Sequence, residues 1–407
     1  MQAIKKRETL VDVIGNNLYL LIKNTEPLCI PKTGFAGNII RSESYIPGKM
    51  LFTAIVAGTG KQGKDLKPFF IEGVSISNAY PIPDNWQGED CRPEKIKSMP
   101  MPQHYHSIKA KQESEENTTF LPHWAADDQK NPVELNRTAT IDIFSPGSSE
   151  EKPAAKRPKG EQYLCCDHAG TWHKYIQPLD IRMRNRRGDP DKIIRKEATE
   201  LFSEQRIHEE TAFIAEINFT DDLPAQAKKA WLTSLKNWQE GLSIKIGRGS
   251  APVKLCLTSK PDPSTPGDMP EQHTAPEATK LTLIFTSDWI VRGENLGYLQ
   301  ELGRSTLLRL FNCEMLSPTM SCTGGSHPTI AQDHEEQGAY NYASGMPKRP
   351  CNVIKRGSSY QFQGDPGTIA KLRQQIEKQI AWGERTRDGY GRYILNIDAL
   401  QAAVEVG

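Results

Sequence analysis

The pattern of apolar and polar positions changes several times along the chain, and each change predicts an element. Residues 10 to 83 carry one apolar run at Leu18 to Ile22 and another at Phe69 to Ile76. Between them, IPGKMLFTAIVAG predicts a turn at Pro47-Gly48 and a short helix over Lys49 to Ala57, with Met50, Leu51, Ala54 and Ile55 inward. That helix ends in a glycine-rich loop, Gly58 to Gly63. Residues 84 to 162 lose the pattern. They are rich in Pro, Gln, Glu, Ser and Asn, and predict an insertion or long irregular arm.

Order returns near Leu164. Residues 201 to 219 end in a strand in which Phe213, Ala215, Ile217 and Phe219 alternate with their neighbours. Pro224 opens a helix to about Trp238, with Ala227, Trp231, Leu235 and Trp238 on one stripe. A strand, Gly247-Arg248-Gly249 and a second strand follow. A proline-rich linker covers 260 to 279. LTLIFTSDWIV, 281 to 291, predicts a strand, and CNVIKRGSSYQFQ, 351 to 363, a strand or hairpin. Thr368 to Trp382 predicts a helix with Ile369, Leu372, Ile376 and Ile380 inward, followed by a glycine-rich loop and a terminal strand. Helix, glycine-rich loop and strand thus occur twice. The weak repeat predicts an α+β protein of two ferredoxin-like (βαββαβ) units. The first unit spans 1–259, with the insertion at 84–162 and a basic arm at 180–196; the second spans 280–407.

Composition narrows the class. The 407 residues suffice for two or three domains, and 37% hydrophobic with 25% charged residues is globular but polar. Eight cysteines at irregular spacing predict reduced thiols and a cytoplasmic location. No apolar run is long enough to span a bilayer, so no membrane partner is expected. Gly58, Gly63 and Lys64 match the spacing of a phosphate loop. Asp65 stands where the magnesium-binding hydroxyl belongs, however, and Lys67-Pro68 cuts off the helix that would receive phosphates. A nucleotide site is therefore not predicted.

The net charge of +1 is uninformative, but its distribution is not. Arg182, Arg184, Arg186 and Arg187 crowd the basic arm, and Lys355 and Arg356 end the run KRPCNVIKR. A solvated loop explains one such cluster; two, each beside glycine-rich turns, favour a polyanion. Glycines 383, 389 and 391 permit consecutive exposed amides, with Arg385, Arg387 and Arg392 around them and Tyr390 able to stack or pack. Gly247-Arg248-Gly249 is the shorter counterpart. Cys165, Cys166, His168 and His173 are the candidate ligands of a structural zinc, with Cys91, His104 or His106 as completing ligands. Adjacent cysteines seldom share one ion, so buried thiols compete with that reading. No nucleophile elbow, H-E-x-x-H or paired-carboxylate motif appears.

Several of these stretches together resemble the RAMP superfamily (repeat-associated mysterious proteins) of CRISPR systems. YIPGKMLFTAI at 45 to 55 is similar to the family's first helix start, and ISNAYPIP at 76 to 83 to a strand of its guide-end-capping members. LFSEQRIHEETAFIAEI, LIFTSDWIV, SGMPKRPCNVIKRGSSYQF and GERTRDGYGR follow in the order expected of the type III-D capping subunit. Lys49 departs from the family's usual serine, and 84 to 162 matches nothing in it. The resemblance implies a non-catalytic subunit that holds the 5′ handle of a CRISPR guide RNA. It would abut the large polymerase-like subunit and the RAMP backbone subunits, and meet target RNA only indirectly. It places Lys49 and Arg248 against RNA, and Arg182 to Arg187 on a hairpin that grips the guide or reaches between subunits. Two rivals stay open: an endoribonuclease that processes guide precursors, and a backbone subunit that cleaves target RNA. The family's nucleases use an N-terminal histidine, whereas the first histidine here is His104.

Overall fold

The computed structural model describes residues 17–32, 39–86, 95–108, 139–142, 162–167, 169–186, 200–240, 244–258, 279–311, 330–331, 334–341 and 346–395. The chain lays down β1 (Asn17–Asn24), β2 (Ile39–Ile40), α1 (Gly48–Gly58), β3 (Val74–Ile76) and β4 (Tyr80–Pro81). Next come β5 (Lys97–Pro100), β6 (Tyr105–Ile108), β7 (Ala139–Asp142), β8 (Gln162–Cys166) and β9 (Trp172–Ile176). The first half closes with β10 (Leu179–Arg186), β11 (Glu200–Ile207), β12 (Ala212–Phe219), α2 (Ala225–Gln239), β13 (Ile244–Ile246) and β14 (Ala251–Thr258). The second half holds β15 (Lys280–Phe285), α3 (Arg304–Leu310), β16 (Ile330–Ala331) and β17 (His334–Asn341). It ends with β18 (Met346–Ile354), β19 (Ser359–Gln363), α4 (Pro366–Glu377) and β20 (Tyr393–Leu395).

The architecture is mixed α+β, dominated by antiparallel sheets. In the larger sheet β1 lies between β14 and β12, and β3 and β4 pair with the far side of β12. In the second sheet β15 lies between β20 and β19, with β16 beyond β19. Each sheet therefore has its first strand inside, with its last strand on one side: β14 beside β1 and β20 beside β15. The rest of the chain forms smaller sheets: β10-β11-β2, β5-β8-β9, β6-β7 and β17-β18.

Side-chain alternation explains the layers. On β1, Leu18, Leu20 and Ile22 point into the core that α1 and α2 cover. Trp231 of α2 centres that core, 5.6 Å from the Phe52 ring and 5.2 Å from Phe69. Burying each such large side chain contributes roughly 1.5–3 kcal/mol. β12 is buried on both faces, because Ala212 and Ile214 pack under Ile82 and Ile96 while Phe213 and Ile217 face the helices. Gly48 starts α1, where its amide donates to the Asn78 side chain at 2.8 Å. The second core gathers Leu281, Leu283, Phe285 and Trp289 against Ile369, Leu372 and Ile376 of α4.

Five sequence expectations need correction. The helix predicted over 368–382 stops at Glu377, because Trp382 turns back to donate its amide to Gly391; Ile380 is left exposed. The strand predicted over 281–291 ends at Phe285, where Ser287 and Asp288 turn away to bond Arg392 and Arg356. Residues 351–363 are not one hairpin, since β18 pairs with β17 and β19 with β15. The described parts of 84–162 are not wholly irregular: they supply β5, β6 and β7. Lys67-Pro68 does not abolish helix. Gly63–Phe70 is a 3-10 helix with Pro68 inside it.

Candidate nucleic-acid interface

The described part of the basic arm, in β10, pairs antiparallel with β11. Arg182, Arg184 and Arg186 occupy alternate positions of β10, opposite Glu204, Phe202 and Glu200 of β11. Arg182 is exposed, and so are its neighbours Ile181 and Met183. Arg187 lies outside the described residues. At the root of this hairpin sits the first glycine turn. Gly247 has φ 73°, and a Cβ there would run into the Cys29 carbonyl, so only glycine fits. The turn lets Arg248 donate its amide to that carbonyl at 2.8 Å. Its guanidinium then lies 5.5 Å from the Phe202 ring and 3.8 Å from the Glu204 carboxylate. Gly249 beside it faces open space.

Glu204 is the pivot of the cluster. It is buried, yet accepts from both Nε and Nη2 of Arg206, at 2.9 and 2.6 Å. A desolvated carboxylate between two guanidiniums is compensated, and it fixes where those cations point. Burial, with Glu204 nearby, pushes the Cys29 thiol up to about 12. Phe202, Glu204 and Arg206 were not singled out from sequence. Their period-2 spacing in LFSEQRI, matched to the alternate arginines of the arm, was the available signal.

The second glycine-rich loop behaves differently. Its glycines press on neighbouring backbone, in part that of the first half of the chain. A Cβ on Gly389 would lie 2.6 Å from the Ile76 carbonyl and 3.3 Å from Gly48 Cα, and one on Gly391 would run into the Trp382 carbonyl. Tyr390 is buried, and burial raises its hydroxyl pKa. Arg392 is buried too. It donates to Ser75 at 3.3 Å, to Glu216 at 3.0 Å and to Asn218. Arg356 is likewise committed, donating to Tyr45 at 3.0 Å and Glu43 at 3.2 Å, with Asp288 at 3.5 Å. Arg356, Arg392 and Gly389 therefore lie on the seam between the two halves, while Tyr390 packs with Ile290 and Val353 and Gly391 against Trp382 within the second; all five are buried rather than facing solvent, a correction to their reading as RNA contacts.

Arg385 and Arg387 are half-buried. With Lys378, Glu72, Asp221 and Asp388 they line a cleft of about 870 Å³ between the two halves. Lys49 lies half-buried in the first turn of α1, and Lys355 half-buried next to Arg356. The structure thus brings Arg182 and Arg248 to one site, and Arg385 and Arg387 to another.

Cys165 and Cys166 are both buried on β8, and burial pushes their thiols up to about 12 and about 11. Cys165 Sγ lies 3.4 Å from the Ser98 hydroxyl. His173 is exposed, with Nε2 3.0 Å from the Asp167 carboxylate. His168 and Cys91 lie outside the described residues. Among the described residues, no group of three or more His, Cys, Asp or Glu comes together as a metal site. Among them too, no helix is long and apolar enough to cross a membrane.

No protein-family model matches the sequence, and no curated protein matches it. Solved structures do. A chain of the type III-B Cmr-beta structure bound to cognate target RNA and AMPPnP is 10% identical, with 92% of this chain and 96% of that one covered at a TM-score of 0.41. A chain of the Csm3-Csm4 subcomplex in the type III-A CRISPR-Cas interference complex is 13% identical, covering 86% and 94% at a TM-score of 0.38. A Cas6 product complex is 14% identical, covering 54% and 85% at a TM-score of 0.25.

Proposed function

We propose that this protein is a non-catalytic, RNA-binding RAMP subunit of a type III CRISPR surveillance complex, and that it caps the 5′ handle of the guide. Its two sheets, with the runs β14-β1-β12-β3 and β20-β15-β19-β16, are read as two ferredoxin-like units. The observation that carries the proposal is the hairpin root, where Arg248 lies 3.8 Å from Glu204 and 5.5 Å from the Phe202 ring, and the exposed Arg182 pairs opposite Glu204. Fixed guanidiniums next to an aromatic ring suit the phosphates and splayed bases of single-stranded RNA. The in-order motifs from 45 to 393 supply the CRISPR context. The reading needs no metal. Its protein partners are the large polymerase-like subunit and the backbone subunits.

The test is recovery of the protein from its native host with sequencing of the RNA it retains. The proposal expects RNAs that share one repeat-derived 5′ end, and intact product after incubation with labelled repeat RNA. Retained RNA with no common 5′ end, or a cut repeat, would refute it.

A further inference from the structure

The segment that mimics a phosphate loop has an arrangement of its own. Gly63–Phe70 is a 3-10 helix, in which residues three apart eclipse one another and successive turns are about 6 Å apart. Lys64, Lys67 and Phe70 stand at that spacing, and all three are exposed, Phe70 by 47%. Leu66 and Phe69 occupy the inward row, where Phe69 packs on Trp231. The result is a ridge of two ammonium groups ending in an aromatic ring. Lys61 precedes it, with Nζ 5.6 Å from the Phe69 ring centroid.

The ring at the end of the ridge is held in place. Phe52 meets Phe70 edge-on at 5.6 Å, and the Arg387 guanidinium lies 5.7 Å from its centroid. Arg387 is anchored in turn by donating to the Phe70 carbonyl at 3.3 Å, and it also lines the cleft between the halves. Cations at a regular pitch of about 6 Å, followed by a supported ring flanked by arginine, match successive phosphates and one base of an extended strand.

The structure assigns to this ridge a second contact for single-stranded RNA, with Lys64 and Lys67 on phosphates and a base stacked on Phe70. It rests on the proposed function only for the class of ligand, since none of its residues belongs to the hairpin root. The probe is a fluorescent single-stranded RNA oligonucleotide, titrated against the full chain and its variants, each first checked for an unchanged melting temperature. Phe70→Ala is expected to weaken binding roughly fivefold or more, and Phe70→Trp to restore it. Lys64→Glu with Lys67→Glu is expected to flatten the salt dependence by about 0.7 in slope per phosphate lost. Unchanged affinity and slope in both variants, while Arg248→Ala weakens binding, would overturn the ridge and leave the hairpin root standing. Loss on the ridge with none at Arg248 would do the reverse. If the ridge variants shed only a co-purifying protein and keep their RNA affinity, the surface is a protein contact and the assignment is wrong.

Discussion

The guanidinium of Arg356 lies 4.0 Å from the ring centroid of Tyr45, and its Nη1 donates to the Tyr45 hydroxyl across 311 residues of sequence. Both groups are buried, and Glu43 and Asp288 flank the cation. Burial alone disfavours the charge on Arg356, but Tyr45, Asp288 and Glu43 outweigh it and hold its pKa well above the ordinary arginine value. Removing such a cation strands the buried Asp288 carboxylate and the half-buried Glu43, and breaking a buried pair in this way costs roughly 3 to 5 kcal/mol. Arg356→Met should therefore lower the denaturant midpoint strongly, with Arg356→Lys between it and the wild type. Equal midpoints for all three would show that the seam does not depend on this pair.

The glycine-rich loops make opposite predictions. Gly389 and Gly391 have positive φ and no room for a methyl group. Gly249 has φ 84° but faces open space, so alanine there pays only the left-handed backbone term of about 1–2 kcal/mol. Gly389→Ala and Gly391→Ala should cost clearly more than Gly249→Ala in thermal melts. The reverse order would mean that Gly389 is not packed against Ile76 nor Gly391 against Trp382.

Acid should act at the start of α4. The Asp365 side chain accepts from the Thr368 amide at 2.9 Å and from its hydroxyl at 2.6 Å, and these bonds lower its pKa. A lowered folded-state pKa stabilises above the unfolded value of about 3.9, and the benefit fades as the pH falls through the folded value. The stability gap between wild type and Asp365→Ala should be widest near neutrality and narrow on acidification. A gap that stays constant or grows in acid would contradict the cap.

Buried thiols should be slow to react. Cys29, Cys165 and Cys166 have pKa values pushed up to about 12, about 12 and about 11, chiefly by burial, so little thiolate exists near pH 8. Alkylation in the native state should label them only after denaturant is added. Fast native labelling of Cys165, or one equivalent of tightly held zinc that protects Cys165 and Cys166, would contradict their burial.

Much of the framework was legible in the sequence. The stripes of α1 and α2 and the alternation of β12 follow from period and punctuation, which are local properties. The corrections fall where the deciding partner is remote. Nothing near Arg392 in sequence announces Ser75, Asn218 or Glu216, so an arginine after glycine reads as solvent-facing when it is a buried tie. The same holds for Glu204, whose burial between Arg206 and Arg248 depends on two separate sheets meeting. Ile380 failed for a different reason: its stripe continued in sequence after the backbone had already turned back toward Gly391.

The central claim is that Arg182 and Arg248 grip the 5′ end of a guide RNA, and a salt titration tests it most directly. Affinity for an RNA bearing the 5′ handle should fall steeply with salt in the wild type. In Arg182→Ala with Arg248→Ala the slope should drop by about 0.7 for each phosphate contact removed. A slope and affinity identical to the wild type, in a variant that melts normally, would contradict the account.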